Sequence, residues 1–299
     1  MSSAKSDRLL EETETTGTDK EEFGKDAHWE VVRADTSDDR DWLADAPVCS
    51  LLKTHHISHV GRMWASAPFE VIRSEASGTF ALIVLEGEGE TLIDGERRTV
   101  VENEICLLPA FVPTAIRAKS DQVWHFAWVR YEETRETSPI LSSNSPVIHK
   151  GSVQPLNYAI AGLAAEMQRE GHEPATLHHW VELIHGFVAR AARPFQGDDR
   201  LWRVWKEVER DLARDWKLKD LEEIAHLSQE HLRRLAQQQL GRSPIQQITH
   251  LRMRRAVSLL AATEDKVETI AREVGYENPF TFSNAFKRWT GKRPSEYRD

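Results

Sequence analysis

The fold is decided near the end of the chain, by residues 270–298, which read IAREVGYENPFTFSNAFKRWTGKRPSEYR. The apolar spacing over residues 267–274 predicts a short helix, and Gly275 permits a turn after it. Asn278 can then cap a second helix, and Pro279 takes its first position, where the missing N–H costs nothing. The second helix has two opposed faces: Phe282, Ala285, Phe286 and Trp289 on one, and Phe280, Ser283, Asn284, Lys287 and Arg288 on the other. A helix, a tight turn and a helix with such an outer face form a helix-turn-helix.

The same layout occurs about 50 residues earlier. Residues 220–227 predict a short amphipathic helix, Ser228 an N-cap, and residues 229–240 a second helix that Gly241 ends in the left-handed conformation. Here the two faces are Leu232, Leu235, Ala236 and Leu240 on the buried side, and Glu230, Arg233, Arg234 and Gln237 on the outer side. The chain therefore contains an internal repeat of two helix-turn-helix units.

A long helix is predicted between the two units. Ser243-Pro244 opens it and the apolar pattern continues to about Ala262. At 1.5 Å per residue this helix spans roughly 28 Å. Successive major grooves on one face of DNA lie roughly 34 Å apart. A rigid spacer of this length can present both outer faces to the same side of a duplex.

Residues 221–298 as a whole resemble the DNA-binding domain of the AraC/XylS family of bacterial regulators. The resemblance covers about the last 100 residues and rests mainly on the second unit, through Ile270-Ala271, Gly275-Tyr276, Phe282, Phe286-Lys287, Gly291, Pro294 and Tyr297-Arg298. Two positions depart from the family pattern. Ala236 stands where the family usually has Phe, and Asn284 stands where Arg is frequent.

The resemblance implies which side chains contact DNA. Base edges would be met by Glu230, Arg233 and Arg234 of the first unit and by Phe280, Thr281, Ser283 and Asn284 of the second, with Gln237 on the same outer face. Arg can bind guanine and Asn can bind adenine through paired hydrogen bonds. Lys287, Arg288, Lys292 and Arg293 are assigned to phosphates, which give affinity without sequence information.

Each of these outer faces also has a simpler interpretation. An Arg pair on a helix surface is ordinarily only solvated. The repeated, correctly capped units favour DNA contact for Arg233, Arg234 and Asn284, whereas Phe280 is equally well explained as a surface or fold contact. Arg252 lies on the apolar stripe of the long helix, so we expect it to make a structural hydrogen bond.

The net charge of the chain is -9, which alone argues against a nucleic-acid partner. The charge is unevenly distributed, however. Residues 201–299 hold 19 Lys and Arg against 15 Asp and Glu, so the remaining residues hold 20 against 33. Cys49 and Cys106 lie in apolar runs without a C-x-x-C partner, which predicts reduced core thiols and a cytoplasmic protein. No run is long and apolar enough to suggest a membrane span, and residues 1–26 are interpreted as a disordered acidic tail without a secretory signal.

A β-rich domain is predicted over residues 27–150. Apolar or alternating runs at residues 80–85, 90–93, 105–108 and 123–129 are separated by turn signals. Asp94-Gly95 is a typical two-residue hairpin turn, because both positions need a positive φ. The region 82–113 resembles the cupin-type sensor barrel found upstream of this DNA-binding domain, which implies binding of a small effector. Residues 151–198 predict a helical dimerisation segment and linker, although their apolar stripe would equally suit packing on their own barrel.

Aromatic residues are the candidate effector site. Trp64, Trp124 and Trp128 could stack on a sugar ring, and an aromatic core is an equally good interpretation. Catalytic cupins resemble one another in His and Glu metal ligands, yet residues 80–93 contain no His and Thr114 follows Pro113 where such proteins commonly place one. The cluster His55, His56 and His59 precedes these strands and is assigned a structural or surface role.

These features together predict a multidomain β-plus-α chain: a cupin-like β-barrel followed by an all-α domain over residues 199–299 with two helix-turn-helix motifs. The predicted function is sequence-specific transcription regulation, with activation as the expected sign, in response to a small metabolite of the carbohydrate class. Double-stranded DNA, RNA polymerase and a second copy of the chain are the expected partners, and no metal, cofactor or catalytic residue is expected. The alternative is a cupin enzyme or metal-dependent sensor fused to a DNA-binding domain.

Overall fold

The computed structural model describes residues 19–74, 77–134, 140–141, 145, 147–193 and 199–298. The described strands are β1 (Lys20–Glu22), β2 (His28–Arg33), β3 (Ile57–Ala65), β4 (Glu70–Arg73), β5 (Phe80–Glu86), β6 (Glu88–Ile93), β7 (Glu96–Val101), β8 (Glu104–Leu108), β9 (Thr114–Ala118), β10 (Trp124–Tyr131) and β11 (Ile148–Lys150). The described helices are α1 (Gln154–Met167), α2 (Pro174–Ala192), α3 (Asp199–Arg210), α4 (Leu218–Ala225), α5 (Gln229–Leu240), α6 (Pro244–Ala262), α7 (Val267–Glu273), α8 (Pro279–Thr290) and α9 (Pro294–Arg298). Short 3₁₀ helices at Asp41–Leu43 and Ser50–His55 precede β3.

The N-terminal half is built from two antiparallel sheets. One has the strand order β1-β4-β9-β6-β7 and the other the order β11-β8-β5-β10-β3-β2. Apolar side chains from both sheets fill the space between them, including Ile93 and Ile116 from the first and Met63, Leu82 and Phe126 from the second. The predicted fold class, a β domain followed by an all-α domain with helix-turn-helix motifs, is confirmed, and the β domain consists of two sheets. Cys49 and Cys106 are free and buried, as expected of core thiols.

The predicted N-terminal tail is too long. Within it, β1 pairs with β4, with Lys20 opposite Ile72 in the register. The Nζ of Lys20 lies 3.0 Å from a carboxylate oxygen of Glu70, and Arg73 forms an ion pair with Glu21. Composition alone suggested disorder because these residues are polar. Residues 20–22 are nevertheless ordered, because their backbone groups form hydrogen bonds with the distant strand β4, and composition does not indicate such pairing. The first 18 residues lie outside the described part of the chain.

Helices α1 and α2 pack on their own barrel. Their apolar stripes, which include Leu163 and Val181, share one buried cluster with Val60, Ala127 and Val129 on the outer face of the second sheet. The apolar stripe that suggested a dimerisation segment is therefore covered by the β domain of the same chain. The predicted linker at residues 194–198 lies outside the described residues.

Two separate cores build the C-terminal domain. The first joins α3, α4 and α5, and Trp205 of α3 is fully buried in the same cluster as Leu232 and Ala236. The second joins α7, α8 and α9 around Phe282 and Phe286. Helix α6 belongs to both clusters. Its Leu251 packs in the first cluster, and its apolar residues from Met253 to Leu260 pack in the second. Helix α6 is therefore the spacer that the sequence predicted.

Candidate nucleic-acid interface and ligand cavity

The outer face of α5 is formed as its sequence predicts. The hydroxyl of Ser228 accepts a hydrogen bond from the backbone N–H of His231, and Gly241 ends the helix with φ 71°. These two caps fix where the helix begins and ends, and in the resulting orientation Leu232 is fully buried. The opposite side chains are exposed: Glu230, Arg233, Arg234 and Gln237.

The outer face of α8 has the same construction. The side chain of Asn278 accepts hydrogen bonds from the backbone N–H groups of Phe280 at 2.8 Å and Thr281 at 3.3 Å, and Pro279 occupies the first turn. Phe282 and Phe286 are fully buried, whereas Phe280 is 81% exposed. Of the remaining predicted base-contacting residues, Thr281 and Asn284 are exposed and Ser283 is half-buried.

These outward-facing groups have no competing partners within the described residues. Arg233, Arg234 and Asn284 make no side-chain hydrogen bond or ion pair there, although several neighbouring cations are paired. Arg255, for example, lies 2.9 Å from Glu273. Because a guanidinium without an anion is available to a guanine edge or a phosphate, both helices present functional groups suited to DNA.

The assigned phosphate contacts flank the end of α8. Lys287, Arg288 and Arg293 are exposed, and Lys292 is half-buried. They follow the base-facing residues along the same helix and the turn after it. Arg252, in contrast, donates from Nε to the carbonyl of Leu212 and from Nη2 to that of Arg214, at 3.0 and 2.8 Å. The structural role predicted for Arg252 is confirmed.

A cavity of about 190 Å³ lies between the two sheets of the barrel. Its walls are partly aromatic, with Trp42, Phe126 and Trp128 among them, and three cations, Arg40, Arg73 and Arg130, also line it together with His59. Apolar walls with a few convergent polar groups are characteristic of small-molecule sites.

Only one of the three predicted effector-binding tryptophans lines this cavity. Trp128 lies in its wall, whereas Trp124 is fully buried in the core beside Phe126. Trp64 alternates with Met63 along β3 and points to the opposite face, where it stacks between His28 and His125 with ring centroids 4.7 and 4.3 Å away. The sequence gives no local signal for Arg40, Trp42 and Arg130 in the cavity wall, because the first two lie at a 3₁₀ helix that reaches the cavity only in the folded domain.

The hydrogen bonds of His59 define the chemistry of the cavity. Its Nδ1 accepts the indole N–H of Trp128 at 2.8 Å, and burial, followed by the charge of Arg40, lowers the pKa of His59 to about 3. The ring is therefore neutral and carries its hydrogen on Nε2. This Nε2 lies 3.3 Å from Nη2 of Arg40. A guanidinium nitrogen can only donate a hydrogen bond, so both atoms are donors. Two donors thus converge here, although Arg40 is also paired with Asp38, whose Oδ1 accepts its Nε at 2.8 Å.

Arg130 adds a third donor group to this cavity. Its Nη1 donates to the backbone carbonyl of Gly78 at 2.5 Å, and its Nη2 donates to the hydroxyl of Ser77 at 3.5 Å. Burial lowers the pKa of Arg130 to about 10, so it remains a cation at neutral pH. A ligand with several acceptor oxygens would satisfy this set of donors.

The described residues contain neither a metal-ligating cluster nor a membrane-spanning helix. No group of three or more His, Cys, Asp or Glu side chains is placed to hold a metal ion there. None of the helices in these segments is both long and apolar enough to cross a membrane.

The chain is similar to known transcription regulators. Residues 221–299 match the family model described as a helix-turn-helix domain. The raffinose operon transcriptional regulatory protein RafR of Pediococcus pentosaceus is 28% identical over 228 residues, covering 72% of this chain and 82% of that protein. The HTH-type transcriptional regulator YisR of Bacillus subtilis is 37% identical over 205 residues, covering 60% of this chain and 71% of that protein. Among solved structures, the C-terminal domain of the response regulator AraT from Geobacillus stearothermophilus is 32% identical, with a TM-score of 0.34, covering 35% of this chain and 87% of that one.

A β domain followed by two helix-turn-helix units with exposed basic and amide faces defines a DNA-binding transcription regulator. The similarity over both halves is specific enough to place it further. The chain belongs to the AraC/XylS family of bacterial transcription regulators.

Proposed function

We propose that the chain is a sequence-specific transcription activator whose two recognition helices, α5 and α8, each read a separate block of base pairs. The observation that carries this is the pair of exposed faces without internal partners, centred on Arg234 and Asn284. The buried face of each helix fixes the rotation of these side chains, so both are presented outward. Lys287, Arg288, Lys292 and Arg293 then hold phosphates near the second block.

The test uses the duplex that the full-length protein selects from a random DNA library. Arg234→Ala and Asn284→Ala should each weaken binding by roughly 1–3 kcal/mol and relax base preference at one or two adjacent positions. The two sets of positions should lie about one helical turn apart. Arg255→Ala is the matched control, because that exposed arginine is already paired with Glu273.

Phosphate contacts give a different signature. Lys292→Ala should weaken all sequences similarly and reduce the slope of log affinity against log salt by about one. If Arg234→Ala and Asn284→Ala leave base preference unchanged, or alter the same base pair, the assignment of the recognition faces is wrong.

For the barrel, we infer that the cavity binds a carbohydrate effector. The walls formed by Trp42 and Trp128 offer aromatic faces for a sugar ring, and the donors of His59 and Arg130 suit hydroxyl oxygens. The similarity to the raffinose operon regulator covers 72% of this chain and therefore includes part of the β domain, which supports the same ligand class here. A sensing role is favoured over catalysis, because the relatives are regulators and Thr114 lies where catalytic cupins commonly place His.

Ligand binding can be measured by thermal stability and tryptophan fluorescence across a panel of neutral sugars, sugar acids and aromatic acids. A ligand that binds only the native state must raise the stability of the barrel. Trp128→Phe should weaken that response, whereas Trp64→Phe, on the opposite face of β3, should not. A response to aromatic acids but to no sugar would retain the sensor and refute the carbohydrate assignment.

We further infer that the regulator is a homodimer that contacts RNA polymerase when it activates. The outer faces of α1 and α2 carry the exposed apolar side chains Tyr158, 66% exposed, and Leu183, 45% exposed. Their position opposite the barrel-facing stripe leaves them available to a second copy. Sedimentation of the wild type and of Tyr158→Glu tests this, since a dimer through this face should dissociate in the variant.

A further inference from the structure

The two helix-turn-helix units are joined by α6 and by one close approach, where a Cβ added to Gly275 of the second unit would lie 2.7 Å from the carbonyl oxygen of Leu212 in the first. Their apolar cores are separate clusters, one around Leu232 and the other around Phe282. The relative placement of α5 and α8 therefore depends on this single helix and on whatever else touches both units.

The tip of the β6–β7 hairpin touches both units. Asp94, at this tip, accepts a hydrogen bond at Oδ2 from Nε of Arg242 at 2.7 Å and one at Oδ1 from Nη2 of the same residue at 3.2 Å. Its Oδ1 also accepts the indole N–H of Trp289 at 3.2 Å. Arg242 directly follows the C-cap of α5, and Trp289 lies in the last turn of α8. One carboxylate from the barrel thus joins the ends of both recognition helices.

The surrounding surfaces fit closely. A Cβ added to Gly95 would lie 2.4 Å from the carbonyl oxygen of Arg288, so only glycine permits this approach. Arg98 donates to the carbonyl of Gly241 at 3.2 Å, on the first unit. On the second, the hydroxyl of Tyr297 donates to the carbonyl of Phe111 at 3.1 Å. The barrel therefore contacts each unit through backbone positions as well as through Asp94.

The charges at this contact are well matched. Arg242 is only 2% exposed, and Asp94 is its ion-pair partner within the described residues. Burial opposes ionisation of Asp94, but the charge and hydrogen bonds of Arg242 outweigh it, and the pKa of Asp94 lies well below its usual range. His250 lies 3.7 Å from Oδ1, beyond hydrogen-bond distance, and burial lowers its pKa to about 3. The ion pair at neutral pH is thus between Asp94 and Arg242.

The docked barrel leaves the recognition faces open. Arg233, Arg234, Phe280 and Asn284 remain exposed while Asp94 is in place. A contact that blocked DNA would cover some of these side chains. The geometry therefore favours an arrangement that orients the two helices over one that masks them.

We propose that Asp94 is a positioning residue for DNA recognition: through Arg242 and Trp289 it sets the spacing between the base-pair blocks that α5 and α8 read. The inference rests on the proposed two-block reading. In this arrangement the barrel helps to fix the distance between the two recognition helices. A conformational change in the barrel would then alter the operator spacing that the protein prefers.

The experiment compares Asp94→Asn with the wild type as full-length proteins. Asparagine suits the left-handed turn position, where Asp94 has φ 52°, and so keeps the hairpin while removing the charge that Arg242 needs. Binding is measured to the selected duplex and to duplexes with one base pair inserted or deleted between the two blocks. Glu102→Gln, an exposed carboxylate in another barrel turn, is the matched control.

A rigidly spaced pair of units should bind the altered duplexes at least about tenfold more weakly than the selected one, because both blocks must be engaged at once. In Asp94→Asn this ratio should fall to about threefold or less, while the bases preferred within each block stay the same. Trp289→Phe, which removes the N–H donated to Asp94 but keeps the aromatic packing, should shift the ratio in the same direction. Glu102→Gln should match the wild type.

Two results would overturn the proposal. An unchanged spacing ratio in both Asp94→Asn and Trp289→Phe would show that α6 and the direct contacts between the units set the distance without Asp94. Tighter binding of the selected duplex by Asp94→Asn would show that the contact is inhibitory. Footprints of Arg234→Ala and Asn284→Ala on the same duplex test two-block reading separately, so a failure of that function is distinguishable from a failure of this inference.

Discussion

Buried His59 should make the stability of the barrel depend on pH. It is 4% exposed, and in the folded state its pKa is lowered from 6.5 to about 3. The unfolded chain therefore binds a proton more readily than the folded one below pH 6.5. The stabilisation due to the neutral ring is complete above that pH and is lost progressively as the pH falls toward 3.

The size of the effect follows from the two pKa values. Each pH unit between them corresponds to about 1.4 kcal/mol of unfolding free energy. Between pH 7 and pH 5 the single histidine should thus lower the stability of the barrel by roughly 2 kcal/mol. His59→Asn keeps an acceptor for the indole of Trp128 but cannot titrate. Its stability should be lower at pH 7, yet it should fall by roughly 2 kcal/mol less over the same interval.

Cys106 provides a readout specific to the barrel. Its thiol is fully buried, so it reacts only when this domain opens. Urea unfolding is followed at pH 7 and pH 5 by labelling with a dipyridyl disulfide, which reacts with thiols at both pH values. His250→Asn is the control, because that histidine is also buried with a pKa of about 3 but lies in the DNA-binding domain.

The outcome that refutes this reasoning is an equal loss of barrel stability in the wild type and in His59→Asn. It would mean that His59 is protonated in the fold, or that other groups dominate the acid response. Nitrogen-detected titration of the labelled imidazole distinguishes these two explanations.

Other consequences are open to direct measurement. Asn278→Ala removes the N-cap of α8 and should destabilise the DNA-binding domain by about 1 kcal/mol in calorimetry, with weaker protection of the second base-pair block. Gly61→Ala should abolish the ligand response of the barrel while DNA binding persists, because the added Cβ would lie 2.5 Å from the carbonyl oxygen of Glu30 and 2.5 Å from the Trp128 ring that lines the cavity; retained ligand binding would contradict this placement. Elemental analysis of protein purified without a His-tag should show substoichiometric Zn, Fe, Mn and Ni, and a full equivalent of any of them would overturn the sensing role.

The helices of the DNA-binding domain could be predicted closely because their signals are local. Ser228, Asn278 and Gly241 act on backbone groups within one turn, and the 3.6-residue period separates the buried from the exposed face. The structure changes little here: α4 begins at Leu218 rather than at residue 220. The Asp94-Gly95 turn was predictable for the same reason, and both residues have the expected positive φ.

The cavity could not be predicted in the same way. The central strand β10 is covered by the other sheet on one side and by α1 and α2 on the other, so both of its faces are largely apolar and alternation no longer marks the interior. The sequence therefore grouped Trp64 with Trp128, although a shift of one residue along β3 separates the cavity wall from the opposite face.

The sequence by itself determined the two helix-turn-helix units, their spacer and the β-rich half, because each follows from periodicity and capping within a few residues. Only the tertiary structure decided which groups meet across long distances in the chain. It brings Arg40, His59 and Trp128 to one cavity, and it places Asp94 against Arg242 and Trp289. The reason is physical: a turn residue or a strand residue carries no local signal of its partner, since the partner is chosen by strand register and by the docking of one domain on another.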